Sequence, residues 1–410
     1  MTAADSGMDA TALDGPGTAG TPRPVRVTAA ASVRGAASSA DPDAAIAAKQ
    51  AAAEGHASAR RGAVAREPSP TELASVAVPF RVPLNRRFRG VEHREGLLFC
   101  GPSGWAEWAP FPEYDDWEAA RWLAAAIEAG WGRWPTAVRS TVPVNVVVPA
   151  LPAEDVAGFV TDAVARTAAT TFKVKVAEPG SALADDLARV ATVRAALSEA
   201  GVRDPLIRLD ANGAWTVTEA RRAARMFAAE FGPVLDYFEQ PCRTTTELAE
   251  LRYRLGDDDV FVRIAVDEGL RRARDLYADD LAASLRSAGD VLIVKVAPVG
   301  GVARALGLIE EIGLPVVVSS EMNTSVGLSA GLALAASVPD LAGACGLGTG
   351  LLLADDVCAN TLIPRDGQLS LTRRLPDEQA LGRAVDALGA EGALWWRERL
   401  ARCARLLSVV

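Results

Sequence analysis

In the run TFKVKVA, Thr171 to Ala177, two lysines alternate with apolar residues. Alternate side chains of a β-strand leave on opposite faces, so Lys173 and Lys175 share one face and Phe172, Val174 and Val176 the other. Alone, such a strand reads as half-solvated, because lysine is rarely buried unpaired. Four later residues change that reading. Asp210 in LIRLDANG, Glu239 in YFEQP, Asp267 in FVRIAVDE and Lys295 in VLIVKVAP follow Lys175 at intervals of about 30 residues, roughly one strand-plus-helix unit. Asp210 by itself is ambiguous, since DANG is also a turn sequence. Three carboxylates converging on one point repel one another unless a cation lies among them. Oxygen ligands with neither histidine nor cysteine nearby suit a hard ion, Mg²⁺ first, with Mn²⁺ as a substitute. A cation flanked by lysines stabilises the enediolate formed when a proton is taken from the carbon beside a carboxylate. Lys175 is the expected base, its ammonium form disfavoured by Lys173, by the metal and by partial burial. Arg208 shares a strand face with Asp210 and either grips a substrate carboxylate or pairs internally with Asp210.

These residues need elements that bring them together. From about Thr136 the chain repeats a β-branched run, a polar punctuation and an alanine-rich helical stretch. The runs are Val142 to Pro149, Thr171 to Ala177, Leu206 to Gly213, Tyr237 to Pro241, Phe261 to Glu268, Val291 to Pro298 and Leu314 to Glu321, with Ala344 to Gly350 as an eighth. Helices are expected over Ala182 to Ala200 and over Val302 to Ile312, the latter closed by Gly313. Alternating strands and helices give a parallel sheet under helices. The fold class is therefore α/β, a β/α (TIM-like) barrel, with a doubly wound open sheet as the other architecture. In a barrel, a charge near the C-terminal end of a strand joins the active-site mouth, and Lys295, four strands on from Lys175, faces it across the cavity.

The barrel is assigned to residues 136–350 and a capping α+β domain to 75–135, with 351–410 returning to the cap. The cap helix is legible as Asp115 or Asp116 at the N-cap, then WEAARWLAAAIEA, then Gly130 as terminator. Six of the nine tryptophans fall between Trp105 and Trp134, a pattern that packing of cap against barrel explains without substrate stacking. Phe88 and Arg89 are candidates for a lid. Residues 1–74, rich in Ala, Gly, Ser, Thr and Pro, are expected to be a disordered low-complexity extension.

Composition removes several functions. A net charge of -9 without a Lys/Arg block lacks the electrostatic footprint of nucleic-acid binding. The apolar stretch Val326 to Ala354 is broken by Pro339-Asp340 and is too short on either side to span a bilayer. There is no secretory h-region. Five scattered cysteines without a CxxC pair argue against a disulfide framework and fit a reducing cytoplasm. With two histidines only, His56 and His93, histidine-centred triads are not expected. VGGVARAL precedes a helix but lacks the Lys-Ser/Thr of a phosphate-binding loop.

The ordered set K-x-K, D-A-N, E-Q-P, D-E and K resembles the enolase superfamily in its muconate-lactonizing branch, where a lysine base works with Mg²⁺. GWAEWAPFPEYDDWEAARWL, FKVKVAEPG, FEQPC, VKVAPVGGVARAL and CGLGTGLLLADD look like the o-succinylbenzoate synthase family of the menaquinone pathway, in its actinobacterial form. The resemblance spans about Val76 to Arg374. It implies that Lys175 removes the α-proton of 2-succinyl-6-hydroxy-2,4-cyclohexadiene-1-carboxylate and that Asp210, Glu239 and Asp267 hold Mg²⁺. It also implies that Lys295 stabilises the enediolate from the other face. Lys173, Arg208 and Asn212 would contact the carboxylate region, and Ser319 or Ser320 the succinyl group. N-succinylamino acid racemase and dipeptide epimerase are the nearest alternatives, since two opposed lysines suit a two-face racemase. A barrel that binds a metabolite without catalysis is the alternative from another class. Two positions depart from the family's pattern. Gly269 stands where relatives read D-E-S, and Glu321, after Ser319-Ser320, could repel an anionic substrate.

Overall fold

The computed structural model describes residues 66–407. Most of the expected extension, His56 included, therefore lies outside the described residues. Its last part is folded: α1 (Pro70–Val76) is capped by Ser69, whose hydroxyl accepts from the Glu72 amide, and buries Leu73 completely. One apolar residue behind a Ser-Pro cap is too little to lift the composition of its surroundings, so the sequence boundary falls several residues late.

Three antiparallel strands follow, β1 (Ala77–Phe88), β2 (Val91–Gly101) and β3 (Gly104–Trp108), and then α2 (Asp116–Trp131). Asp115 caps α2 by accepting from the Glu118 amide at 2.7 Å. Gly130 is not the terminator; the helix runs to Trp131 and stops at Gly132. The backbone at Gly130 is instead a contact surface, because a Cβ on Gly101 would lie 2.1 Å from the Gly130 carbonyl. The last helix, α10 (Glu378–Ala404), bends at Gly389 and packs on this unit, with Trp396 edge-on to Trp108 at 5.5 Å. Trp108, Trp122 and Trp131 are buried in this core, and Trp134 packs against both it and the core of the parallel sheet.

The second body is a seven-stranded parallel sheet in sequential order: β5 (Val146–Val148), β6 (Thr171–Lys175), β7 (Leu206–Asp210), β8 (Leu235–Glu239), β9 (Arg263–Val266), β10 (Val291–Lys295) and β11 (Val316–Ser319). Part of the expected first run is diverted, since β4 (Thr141–Pro143) pairs with β12 (Gln368–Ser370). The helices between strands are α3 (Ala153–Thr167), α4 (Leu183–Glu199), α5 (Val217–Phe231), α6 (Thr245–Asp257), α7 (Leu281–Ala288), α8 (Val302–Ile312) and α9 (Ser325–Ser337). Thr216 with Glu219, and Thr244 with Glu247, form capping boxes that start α5 and α6. α8 ends at Gly313 in the left-handed conformation that a side chain would disfavour (φ 67°).

The segment Leu341 to Gly346 bridges β11 on one side, through Val316 and Ser319, and Val144 on the other, through Cys345. It takes the eighth position and joins the sheet's two edges, which is how a sheet of this kind becomes a barrel. Outward-facing strand residues such as Phe172, Leu209 and Val294 are buried against the helices. The inward layer below the charged strand ends holds Tyr237, Ala265, Val291, Ile293 and Val317, which pack together as an apolar cluster. Among the described residues no helix is long and apolar enough to cross a membrane.

Candidate active site

The strand ends deliver the charges to one place. In the parallel register Lys173 neighbours Arg208 and Lys175 neighbours Asp210, which in turn neighbours Glu239. Paired residues in a sheet point to the same face, so these side chains all enter the barrel. Lys175 and Lys295 line one cavity of about 40 Å³ with Lys173, Asp210, Asn212, Asp267, Ser319 and Ser320. Phe88 and Arg89, from the β1–β2 turn, also line it, and the Lys175 ammonium lies 5.7 Å from the Phe88 ring centre. Glu239 lies behind Lys173.

The lysines and carboxylates form one buried network. Lys173 Nζ donates to Glu239 Oε1 at 2.7 Å and lies 3.0 Å from Asp210 Oδ2. Lys175 Nζ donates to Asp210 Oδ2 at 2.7 Å and to Asn212 Oδ1. Lys295 Nζ donates to Asp267 Oδ2 at 2.5 Å. Burial works to raise Asp210, but the ammoniums of Lys173 and Lys175 prevail and hold it well below the usual carboxylate range. Glu239 goes the other way: burial, reinforced by Asp210 and Asp267, pushes it up to about 7 against one close ammonium. Burial would lower Lys173, yet Asp210 and Glu239 keep its proton bound well above the usual lysine range. Three ammoniums thus face three carboxylates at this end of the barrel, and Glu239 is the least compensated of the three.

Whether the residues suit a cation is tested by their unpaired oxygen and by the chemistry of the donor set. Asp267 Oδ1 is buried without a hydrogen-bond partner, and the local donor set is carboxylate oxygen throughout, which matches a hard divalent ion. Among the described residues no three acidic, histidine or cysteine groups are gathered as a ready-made cage. The Lys173 ammonium instead lies within 3.0 Å of both Asp210 and Glu239.

Arg208 lies off the cavity lining, and its ion pair is with Asp236, not Asp210. It is fully buried, and its guanidinium donates to Asp236 Oδ2 at 2.8 Å, to Asn145 Oδ1 at 2.9 Å and to the Ala344 carbonyl at 2.5 Å. The cause is a register shift. Ile207 pairs with Leu235 but Arg208 with Tyr237, so Asp236 is an extra residue in β8. Such a bulge breaks the two-residue alternation and lets Asp236 meet Arg208 in the barrel floor, away from the cavity lining.

Several contacts that shape the site depend on how strands and loops abut and not on a local sequence signal. Gln240 Oε1 accepts from the Asp267 amide at 3.0 Å and the Gly269 amide at 3.3 Å, fixing the loop that presents Asp267. Glu268 accepts from Asn212 at 3.2 Å and from Arg271 at 2.7 Å, and Arg271 lines the cavity. Ser320 is held by the Gly346 carbonyl at 3.0 Å and by the Thr349 hydroxyl. Glu107 on β3 accepts from Asn323 at 2.9 Å and from the Thr324 amide at 3.0 Å, tying the N-terminal unit to the loop after β11. EQP and D-E are visible in the sequence, but the partners of Gln240 and Glu268 depend on how neighbouring strands abut. His93 is on β2 beside Glu95, outside the cavity lining.

The two departures differ in kind. A Cβ on Gly269 would meet Val266 Cγ1 at 2.6 Å and Thr245 Cγ2 at 2.9 Å, in the packing between sheet and helices. Gly269 therefore answers a packing constraint. Glu321 is buried, lines the cavity, and has Oε1 without a partner.

Comparison with known proteins agrees with this geometry. The family model described as Enolase C-terminal domain-like matches residues 155–387, and Enolase N-terminal domain-like matches 79–130. The o-succinylbenzoate synthase of Thermobifida fusca is 48% identical over 322 residues, covering 78% of this chain and 94% of the relative. Those of Mycobacterium marinum and Mycolicibacterium smegmatis are 46% and 45% identical, each over 82% of this chain and over 94% and 96% of the relative. The chain belongs to the o-succinylbenzoate synthase family of the enolase superfamily. It is an enzyme of the carbon–oxygen lyase class, a hydro-lyase. The fold is also that of muconate lactonizing enzyme from Pseudomonas putida, with a TM-score of 0.60 over 75% of this chain and 98% of that one at 18% identity. The 2-chloromuconate cycloisomerase of Rhodococcus opacus 1CP gives 0.59 over the same shares at 21% identity.

Proposed function

We propose that the chain catalyses the dehydration of 2-succinyl-6-hydroxy-2,4-cyclohexadiene-1-carboxylate to 2-succinylbenzoate in menaquinone synthesis, in the cytoplasm and with Mg²⁺. The observation that carries this reading is the placement of Lys175 and Lys295 at the ends of strands four apart, on one cavity, with buried carboxylates between them. Asp210, Glu239 and Asp267 would hold the ion, with Mn²⁺ as a substitute. When bound, Mg²⁺ supplies positive charge that offsets the charge developing on the substrate carboxylate. Lys175, after losing its proton, takes the α-proton from the ring carbon bearing that carboxylate. The same proton then goes to the departing hydroxyl, so that water leaves and the ring becomes aromatic. Asn212 and Asp210 orient the Lys175 amine through the hydrogen bonds described above. Lys173 stays charged and adds to the positive field. Lys295, oriented by Asp267, meets the opposite face of the enediolate and stabilises it. Ser319 and Ser320 lie on the wall where the succinyl arm fits.

The opposed lysines also favour a second reading, racemisation of an N-succinylamino acid or epimerisation of a dipeptide. Incubating the full chain with each substrate class, with Mg²⁺ and with EDTA, tests both. Mg²⁺-dependent formation of 2-succinylbenzoate that outpaces racemisation supports the dehydratase; racemisation greatly outpacing dehydration reverses the assignment.

A further inference from the structure

The reaction as proposed leaves one buried carboxyl without a task. Glu321 follows β11 by two residues and stands on the wall shared by the reaction cavity and an adjoining cavity of about 30 Å³ against the N-terminal unit. Its backbone is fixed by a hydrogen bond from its amide to Asn323 Oδ1 at 3.1 Å, and Met322 turns the chain with φ 59°. The groups that face it are already engaged. Lys295 on β10 donates to Asp267. Arg94 on β2 donates to the Met322 and Ala109 carbonyls, and Glu107 on β3 is saturated by Asn323 and Thr324. The other charges on the reaction cavity are Lys173 and Lys175 on β6, Asp210 on β7, Arg89 from the β1–β2 turn, and Asp267 and Arg271 from the β9 loop. Glu321 Oε1 consequently has no donor. A buried polar atom without a partner costs stability, and persists most readily where a ligand completes it.

We propose that Glu321 is a specificity-determining residue, whose neutral carboxyl donates a hydrogen bond to an acceptor oxygen on the side arm of the substrate. The inference rests on the dehydratase reading, in which the arm carries a ketone and a carboxylate. Those groups offer acceptors only, so an ionised Glu321 repels the arm and a protonated one binds it. Burial pushes the group up to about 7, Lys295 opposing and Glu107 reinforcing, so the binding form is populated near neutral pH.

The test is the pH dependence of KM and kcat between pH 5.5 and 8.5 for the Mg²⁺-saturated full chain, as wild type, Glu321→Gln and Glu321→Ala. Above about 7 the wild-type KM should rise roughly tenfold per pH unit, with kcat changing far less. Glu321→Gln keeps a donor that does not titrate, so its KM should stay flat and near the wild-type acid value. Glu321→Ala should show a flat KM raised at least roughly tenfold at pH 6. Superimposable KM profiles for wild type and Glu321→Gln would overturn the proposal, as would an unchanged KM at pH 6 in Glu321→Ala. Should Glu321→Ala fail to melt cooperatively, the comparison of wild type with Glu321→Gln decides. A wild-type chain that forms no 2-succinylbenzoate at any pH removes the dehydratase reading itself; a productive wild type with a Gln-like profile removes only the role of Glu321.

Discussion

Arg208 separates a structural guanidinium from a substrate-binding one. Replacing it with Met keeps most of the volume while withdrawing donors from Asp236 Oδ2, Asn145 Oδ1 and the Ala344 carbonyl. Asp236 retains Arg263 on its other oxygen, so its charge is not wholly abandoned. Two further acceptors are orphaned in the barrel floor, at about 1–3 kcal/mol for each buried group. Breaking a buried ion pair from one side costs about 3–5 kcal/mol, which we take as the expected loss. For a folded body of this size that is a drop in Tm of roughly 4–7 °C. Thermal melts of wild type and Arg208→Met read the loss, and steady-state kinetics well below the melting range read the site. KM should stay within about threefold of wild type, because the side chain does not line the cavity. A KM raised tenfold or more with an unchanged Tm would refute this and return Arg208 to the substrate carboxylate.

Gly269→Ser, which restores the family's common residue, should cost about 1–3 kcal/mol through contact with Val266 and Thr245 while leaving kcat/KM unchanged, as urea melts and kinetics would show. Stability should fall as pH rises from about 4.5 to 7, because the folded chain holds the Glu321 proton more tightly than the unfolded chain does. The stabilisation is fully present below the ordinary carboxyl range, is lost through about 7, and amounts to up to about 3 kcal/mol. The difference in unfolding free energy between pH 5 and pH 8 should therefore shrink in Glu321→Gln. Mg²⁺ should raise Tm in a concentration-dependent way and be required for turnover, since it relieves the repulsion around Glu239. Unchanged melting and unchanged activity on adding Mg²⁺ would favour a barrel that binds without catalysing.

The parts of the fold that follow from local chemistry were legible in the sequence. Gly313 ends α8 because the chain needs a left-handed residue there, and two-residue alternation puts Lys173 and Lys175 on one face. Capping chemistry put the start of α2 at Asp115 or Asp116, and it is the Asp115 carboxylate that accepts from an amide three residues on. What depends on register was not legible. Asp236 reaches Arg208 only because β8 carries an extra residue at that point, and no local pattern announces it. Gly130 looks like a helix stop until Gly101 is packed against its carbonyl. Leu73 belongs to a core whose other members are far along the chain, and Gln240 acts on amides of the next strand's loop. Glu321 stood out as a departure, but whether it faced the cavity depended on the turn at Met322.

The most direct measurement is Mg²⁺-saturated turnover of the cyclohexadiene substrate by Lys175→Ala beside wild type, with a thermal melt to show that both are folded. General-base catalysis by a positioned side chain contributes about 10²–10⁴-fold. The variant should lose at least that much in kcat and still be stabilised by substrate. Turnover within tenfold of wild type would show that another group takes the proton and would contradict the account.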